Sequence, residues 1–236
     1  MNAWLAVDTA TDHGQVAVGE PGARPLGSAT LAPRTHARTL LSSARALLQA
    51  QGLTWGDLEG VVVGDGPGSF TGLRIAWSTV KGIVSVRPSL PVHTAPSLVA
   101  AAHHAAVKYD APSVCAVYDA IRGEVFAAVY EFDRGRPVER LRPTLTTIPD
   151  LTRRAAPALA VGDGVRIGEA LLRDWTGRDP VAPLTGMPTA AALLALVAAH
   201  ATRVVSDIDR FEPEYGRKAE AQVRWEHEHG RRLPGA

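Results

Sequence analysis

One order of elements (three strands, a helix, a strand, a helix) can be read twice along this chain, and it limits the fold more than any other feature. In the first pass residues 3–7 form a buried apolar run and 15–19 alternate. Residues 26–31 complete a meander after the turn at Glu20-Pro21-Gly22. Thr35 stands where a helix cap belongs, ahead of Leu40, Leu41, Ala44, Leu47 and Leu48, and Gly52 follows as a stop. The run 60–64 is short and β-branched, as a strand buried on both faces is, and 71–86 has helical character. A strand at 91–94 and a helix at 97–107 end the pass.

After Asp110-Ala111-Pro112 the order restarts. Strands are expected at 113–118, 125–132 and 137–147, a helix at 150–156, a strand at 158–162, and helices at 166–175 and 189–200. Both openings end a strand in aspartate, Asp8 and Asp119, before a glycine turn at Gly14 or Gly123. The spacings differ, so the repeat is topological. Alternating strands and helices require a buried sheet with helices on its faces, so the expected architecture is a duplicated α/β unit. Its halves would be 1–108 and 109–203, with the tail 204–236 returning to the first half. From Arg203 onward the tail carries seven basic and seven acidic residues, which suits a solvated helix or a strap better than a binding patch.

Bulk properties exclude several function classes. The 236 residues carry 25 basic and 24 acidic side chains, a net charge of +1, so non-specific nucleic-acid or membrane binding is not expected. The single cysteine, Cys115, allows no disulfide and reads as a core thiol. The N-terminus has a strand pattern without a basic leader. The apolar run at 190–199 falls short of the ~20 residues of a membrane span. A soluble, cytoplasmic protein with no membrane partner is expected.

The densest motif is Gly64-Asp65-Gly66-Pro67-Gly68-Ser69-Phe70-Thr71-Gly72-Leu73-Arg74, between a strand and a helix that Ser69 or Thr71 can cap. Amides at such a helix start can hold an anion. The loop nonetheless fits neither standard phosphate fingerprint. No lysine follows it as a Walker loop requires, and position 71 is threonine where the dinucleotide motif needs glycine. A structural loop and an anion site both remain open readings. Gly-x-Ser-x-Gly and His-x-x-x-His are absent. His103-His104 point about 100° apart on a helix, and His36 near a helix start reads as a surface or capping residue.

The run Gly66-Pro67-Gly68-Ser69-Phe70-Thr71-Gly72-Leu73-Arg74-Ile75 resembles the signature of the TsaB (YeaZ) family. Four further segments agree in order: Leu5-Ala6-Val7-Asp8-Thr9-Ala10-Thr11, Thr35-His36-Ala37-Arg38-Thr39-Leu40-Leu41, Asp119-Ala120-Ile121-Arg122-Gly123-Glu124-Val125-Phe126 and Pro213-Glu214-Tyr215-Gly216-Arg217. The resemblance implies the duplicated actin/Hsp70/sugar-kinase fold. It implies a role in forming the threonylcarbamoyl group on adenosine 37 of tRNAs that read A-starting codons, as a non-catalytic scaffold or activator of TsaD, joined by TsaE. It further implies that this chain alone binds no cofactor or metal, that ATP or ADP and metal belong to the partner complex, and that tRNA is met through that complex.

In the family, helices after the loop make contacts with TsaD or with a second copy, as a homodimer. On 71–86 the line Leu73, Trp77 and Val80 is the expected interface, with Ile75, Thr79 and Ile83 facing inward; plain core packing of the first line is the alternative. The sequence departs from the family at Ile121, where arginine is usual and Arg122 follows, and at Ala76 and Ser78, where glycine is more common. The competing function is an ATP-dependent kinase or transferase of the same fold. It would use Asp8 and Asp119, with Glu124 or Asp163, around a magnesium–phosphate group. A peptidase has no supporting constellation.

Overall fold

A computed structural model describes residues 2–182, 189–217 and 229. Each pass of the repeat builds one sheet. In the first, β1 (Ala3–Asp8), β2 (Gln15–Gly19) and β3 (Gly27–Thr30) form the antiparallel meander. β4 (Leu58–Gly64) and β5 (Val92–Ala95) add in parallel, and a short β10 (Arg203–Val204) closes the edge, giving the order β10-β5-β4-β1-β2-β3. In the second sheet β6 (Ser113–Asp119), β7 (Val125–Asp133) and β8 (Arg136–Thr146) repeat the meander. β9 (Leu159–Val161) runs parallel to β6, and the order is β8-β7-β6-β9.

Alternation along the strands divides the core into three layers. Leu5, Val7, Val61 and Val63 face α1 (His36–Ala50) and α2 (Phe70–Val86). Trp4, Ala6 and Val62 face the opposite way, into a layer shared with Val114, Ala116 and Tyr118 of the second sheet. Cys115 and Val117 point outward toward α4 (Ile148–Leu151) and α5 (Glu169–Thr176). Cys115 is buried, as its apolar context predicts, and burial pushes its thiol well above the ordinary range.

The middle layer is filled by α3 (Ser97–Tyr109) and α6 (Thr189–Ala198), and the two exchange places: α3 packs on β6 and β7, while α6 packs on β1, β2 and β4. Ala100, Ala101, Ala102 and Ala105 of α3, with Ala190 and Ala192 of α6, let these helices approach closely. α6, from the second pass, thus covers the first sheet, and β10, which begins at Arg203, extends that sheet. Val205, Ile208 and Phe211 then pack against the first core. The tail beyond 217 lies outside the described residues, His229 apart.

Several local expectations change. The helix expected at 150–156 is one turn, capped by Thr147, whose hydroxyl accepts from the Asp150 N–H at 3.3 Å. The helix expected at 166–175 is divided into a 3-10 turn (Asp163–Ile167) and α5. On α1 the buried stripe narrows to Leu40, Ala44 and Leu48, and Leu41 stays 53% exposed.

Candidate functional site

Strands β1, β4 and β6 each lead into an aspartate at their C-terminal ends: Asp8, Asp65 and Asp119. The turn after β9 supplies Asp163. Asp8 is 3% exposed, and its Oδ1 accepts from the Ala10 N–H at 2.9 Å and the Ser97 hydroxyl at 3.0 Å. The Ser97 carbonyl in turn accepts the Tyr118 hydroxyl at 2.9 Å, so the two strand ends are joined through one serine. Burial pushes the Asp8 carboxyl above its usual range. The Ala10 N–H and the Thr189 and Ser97 hydroxyls draw it partly back, and the Asp65 charge adds to the rise.

Asp119 is placed differently from the buried Asp8. It is exposed, accepts the Ile121 N–H at 2.7 Å, and its own N–H donates to Asp163 Oδ1 at 2.9 Å. Burial raises the Asp163 carboxyl as well. Glu124, the other expected carboxylate, is ion-paired to Arg217 at 2.5 Å. Among the described residues no three histidine, cysteine, aspartate or glutamate side chains are placed to share one metal ion.

The glycine loop between β4 and α2 meets backbone on two sides. The carbonyl oxygens of Glu214, Ala10 and Thr9 occupy the places where Cβ atoms on Gly66, Gly68 and Gly72 would stand. Gly66 has φ +101°, precedes Pro67 through a cis peptide bond, and its carbonyl accepts from the Ser97 N–H at 2.8 Å. The Ser69 N–H donates to the Ala10 carbonyl at 2.7 Å. Ser69 rather than Thr71 caps α2, its hydroxyl accepting from the Gly72 N–H at 3.2 Å. Two amides of the helix start are thus engaged by the chain itself. His36, expected near the surface, is buried beside the same turn, where the Gly14 N–H meets its Nε2 at 3.3 Å.

Residues 205–217 form a strap over this loop, with contacts no spacing rule in the sequence announces. Phe211 stacks on Trp77 with centroids 4.0 Å apart, and Tyr215 lies 4.6 Å from the Phe70 ring. The Lys81 ammonium donates to the carbonyls of Asp209 and Phe211 at 2.9 and 3.3 Å. The Glu214 N–H donates to the Asp65 carbonyl at 2.7 Å. Gly216, at φ +67°, lies against Pro67 and Phe126, so the strap touches both halves.

The expected interface line on α2 is corrected. Leu73, Trp77 and Val80 are buried, because this line, with Ala76 allowing close approach, is the one that meets the sheet. Ile83 is buried as expected, whereas Ile75 and Thr79 are half-buried toward the other side. The outer face carries Phe70 at 44% exposure, Arg74 with its guanidinium 5.3 Å from the Phe70 ring, and Ser78. With Ala37 of α1 these residues border a shallow hollow of 430 Å³. At the turn after β6, Ile121 (φ 65°) and Arg122 (φ 57°) both adopt left-handed backbone, and Ile121 is 69% exposed. That is a costly conformation for a β-branched residue.

Comparison with known proteins places this geometry. A family model described as "TsaD: tRNA N6-adenosine threonylcarbamoyltransferase" matches residues 29–152, just over half of the chain. The tRNA threonylcarbamoyladenosine biosynthesis protein TsaB of Escherichia coli is 35% identical over 129 residues, so the chain spans about half the length of that relative, 55% of each. A solved Pseudomonas aeruginosa structure described as similar to peptidase YeaZ is 28% identical, with a TM-score of 0.75 over 92% of this chain and 100% of that one. Component A of the Acidaminococcus fermentans (R)-2-hydroxyglutaryl-CoA dehydratase superposes at 0.51 with 9% identity over 84% of this chain and 97% of that one, a likeness of fold alone. The fold is the duplicated actin/Hsp70/sugar-kinase type, and the chain belongs to the family this model describes, among its TsaB (YeaZ) members.

Proposed function

We propose that this chain is a non-catalytic partner of a TsaD-type enzyme in forming N6-threonylcarbamoyladenosine at position 37 of tRNAs reading A-starting codons. The observation that carries the reading is the engagement of the glycine loop by the chain's own backbone. Its glycines admit the carbonyls of Thr9, Ala10 and Glu214, and its Ser69 and Gly72 amides are already bonded. Asp8, the carboxylate a kinase of this fold would direct at a phosphate, is buried, hydrogen-bonded and pushed toward its neutral form. Both facts favour a loop that shapes structure over one that carries nucleotide.

Partner contact is assigned to the outer side of α1 and α2, where Leu41 and Phe70 stay exposed beside the half-buried Ile75. In this reading the same face meets TsaD in the heterodimer or a second copy when the protein is alone. ATP or ADP, metal and TsaE enter with the partner, tRNA is reached through the complex, and the setting is the cytoplasm. The test is co-purification with a matching TsaD, followed by a modification assay with TsaE. The chain alone is expected to modify no tRNA and to restore modification when added. Failure to bind TsaD overturns the proposal.

A further inference from the structure

A second concave site lies away from the α1–α2 face, between the ends of β4 and β5, the strap and the edge strand β8, with a volume of 740 Å³. Its β8 wall depends on broken register. Pairing runs Tyr130 to Glu139, then Val129 to Leu141, then Ala127 to Thr144, so β8 gains extra residues at two points. On a regular strand Glu139 and Arg142, three apart, would face opposite sides; with the shifts both line the same cavity.

The charges in this cavity do not cancel internally. Arg203 binds the buried Asp65 carboxylate at 2.5 Å, and those two neutralise each other. Arg142, Glu139 and Glu214 remain, and none makes an ion pair among the described residues. A simple anion would leave the two glutamates unmatched, and a simple cation would leave Arg142 unmatched. A ligand carrying both signs a few bonds apart matches them together. Phe126 and Leu145 add apolar lining.

We propose that this cavity binds a zwitterionic ligand of the α-amino-acid class with an apolar side chain, its carboxylate on Arg142 and its ammonium on Glu139 and Glu214. Such a site lets this chain report the supply of a small metabolite to whatever it is bound to. The test uses the full chain alone, so its outcome is independent of any partner. Amide resonances are followed while L-leucine, L-leucinamide (cation only) or N-acetyl-L-leucine (anion only) is added. Saturable shifts at Thr94 and Thr144 are expected with L-leucine, and at least tenfold weaker binding with either single-charge derivative. Arg142→Gln and Glu139→Gln, both at exposed positions, are each expected to weaken L-leucine binding at least tenfold while core resonances stay in place. No saturable shift with L-leucine, equal binding of leucinamide, or unchanged binding by Arg142→Gln would overturn the proposal.

Discussion

The Thr9 hydroxyl donates to the Gly72 carbonyl at 2.7 Å, and the Thr9 carbonyl oxygen fills the space a Cβ on Gly72 would need. The β1–β2 turn and the start of α2 are therefore locked backbone to backbone. Gly72→Ala forces that contact apart and is expected to cost about 2–3 kcal/mol. On the same helix Gly82 is exposed with no atom within 4 Å of an added Cβ, so Gly82→Ala is expected to gain up to ~1 kcal/mol from helix propensity. Urea midpoints at constant slope compare the two, and equal effects would refute the backbone lock.

Asp8 gives a prediction with a definite sign. Its carboxyl is raised above the ordinary 3.8 by burial, so the fold prefers the protonated form. The stability from that preference is fully present below 3.8 and is lost as pH rises through the raised folded value. Asp8→Asn, which keeps an acceptor for Ala10 and Ser97, should be more stable than the parent at pH 7. The expected gain is on the order of 1 kcal/mol, or about 2–4 °C in Tm. The gap should close as pH falls toward 3.8. Asp163 titrates in both proteins and cancels in the difference curve, which therefore reports Asp8 together with its coupling to Asp65. A gap that widens on acidification would contradict this account.

The elements legible in the sequence were those with a single dominant period. The runs at β1, β4 and β6 are apolar throughout because both their faces are covered, and the repeat they open is visible without any coordinates. The face of α2 was not legible. Leu73, Trp77 and Val80 form one apolar line and Ile75 and Ile83 another, and a helix apolar on two lines does not say which one the sheet takes. The exchange of α3 and α6 was hidden for a similar reason, since two alanine-rich helices carry little orientational signal. The loop glycines were conspicuous. Their reason, carbonyls supplied by residues 9, 10 and 214, is long-range and so invisible to spacing.

The two sides of this helix layer allow folding to be tested separately from the proposed partner contact. Trp77→Ala removes a buried indole and is expected to cost about 3–5 kcal/mol, measured by denaturation. Leu41→Glu, at an exposed α1 position, should shift stability by less than about 0.5 kcal/mol. It should weaken association with TsaD at least tenfold, about 1.4 kcal/mol, in a calorimetric titration. Unchanged TsaD affinity in Leu41→Glu would move the proposed contact off this face.

The strap is held to α2 by the Phe211–Trp77 stack, with rings 4.0 Å apart and inclined by 26°, together with the Tyr215–Phe70 contact and the Lys81 bonds. Phe211→Ala uncovers one side of the Trp77 indole and leaves the Lys81 bonds to the Asp209 and Phe211 carbonyls unsupported. A loss of roughly 2 kcal/mol is expected, given that Phe211 is half-buried. Tryptophan emission should shift to longer wavelength, and protease cleavage within 205–217 should accelerate. Five tryptophans share the signal, so the assignment rests on repeating the measurement in Trp77→Phe, where the spectral shift should vanish while the faster cleavage remains. A shift that survives in that background would place the change at another indole and remove the uncovering of Trp77 as its cause.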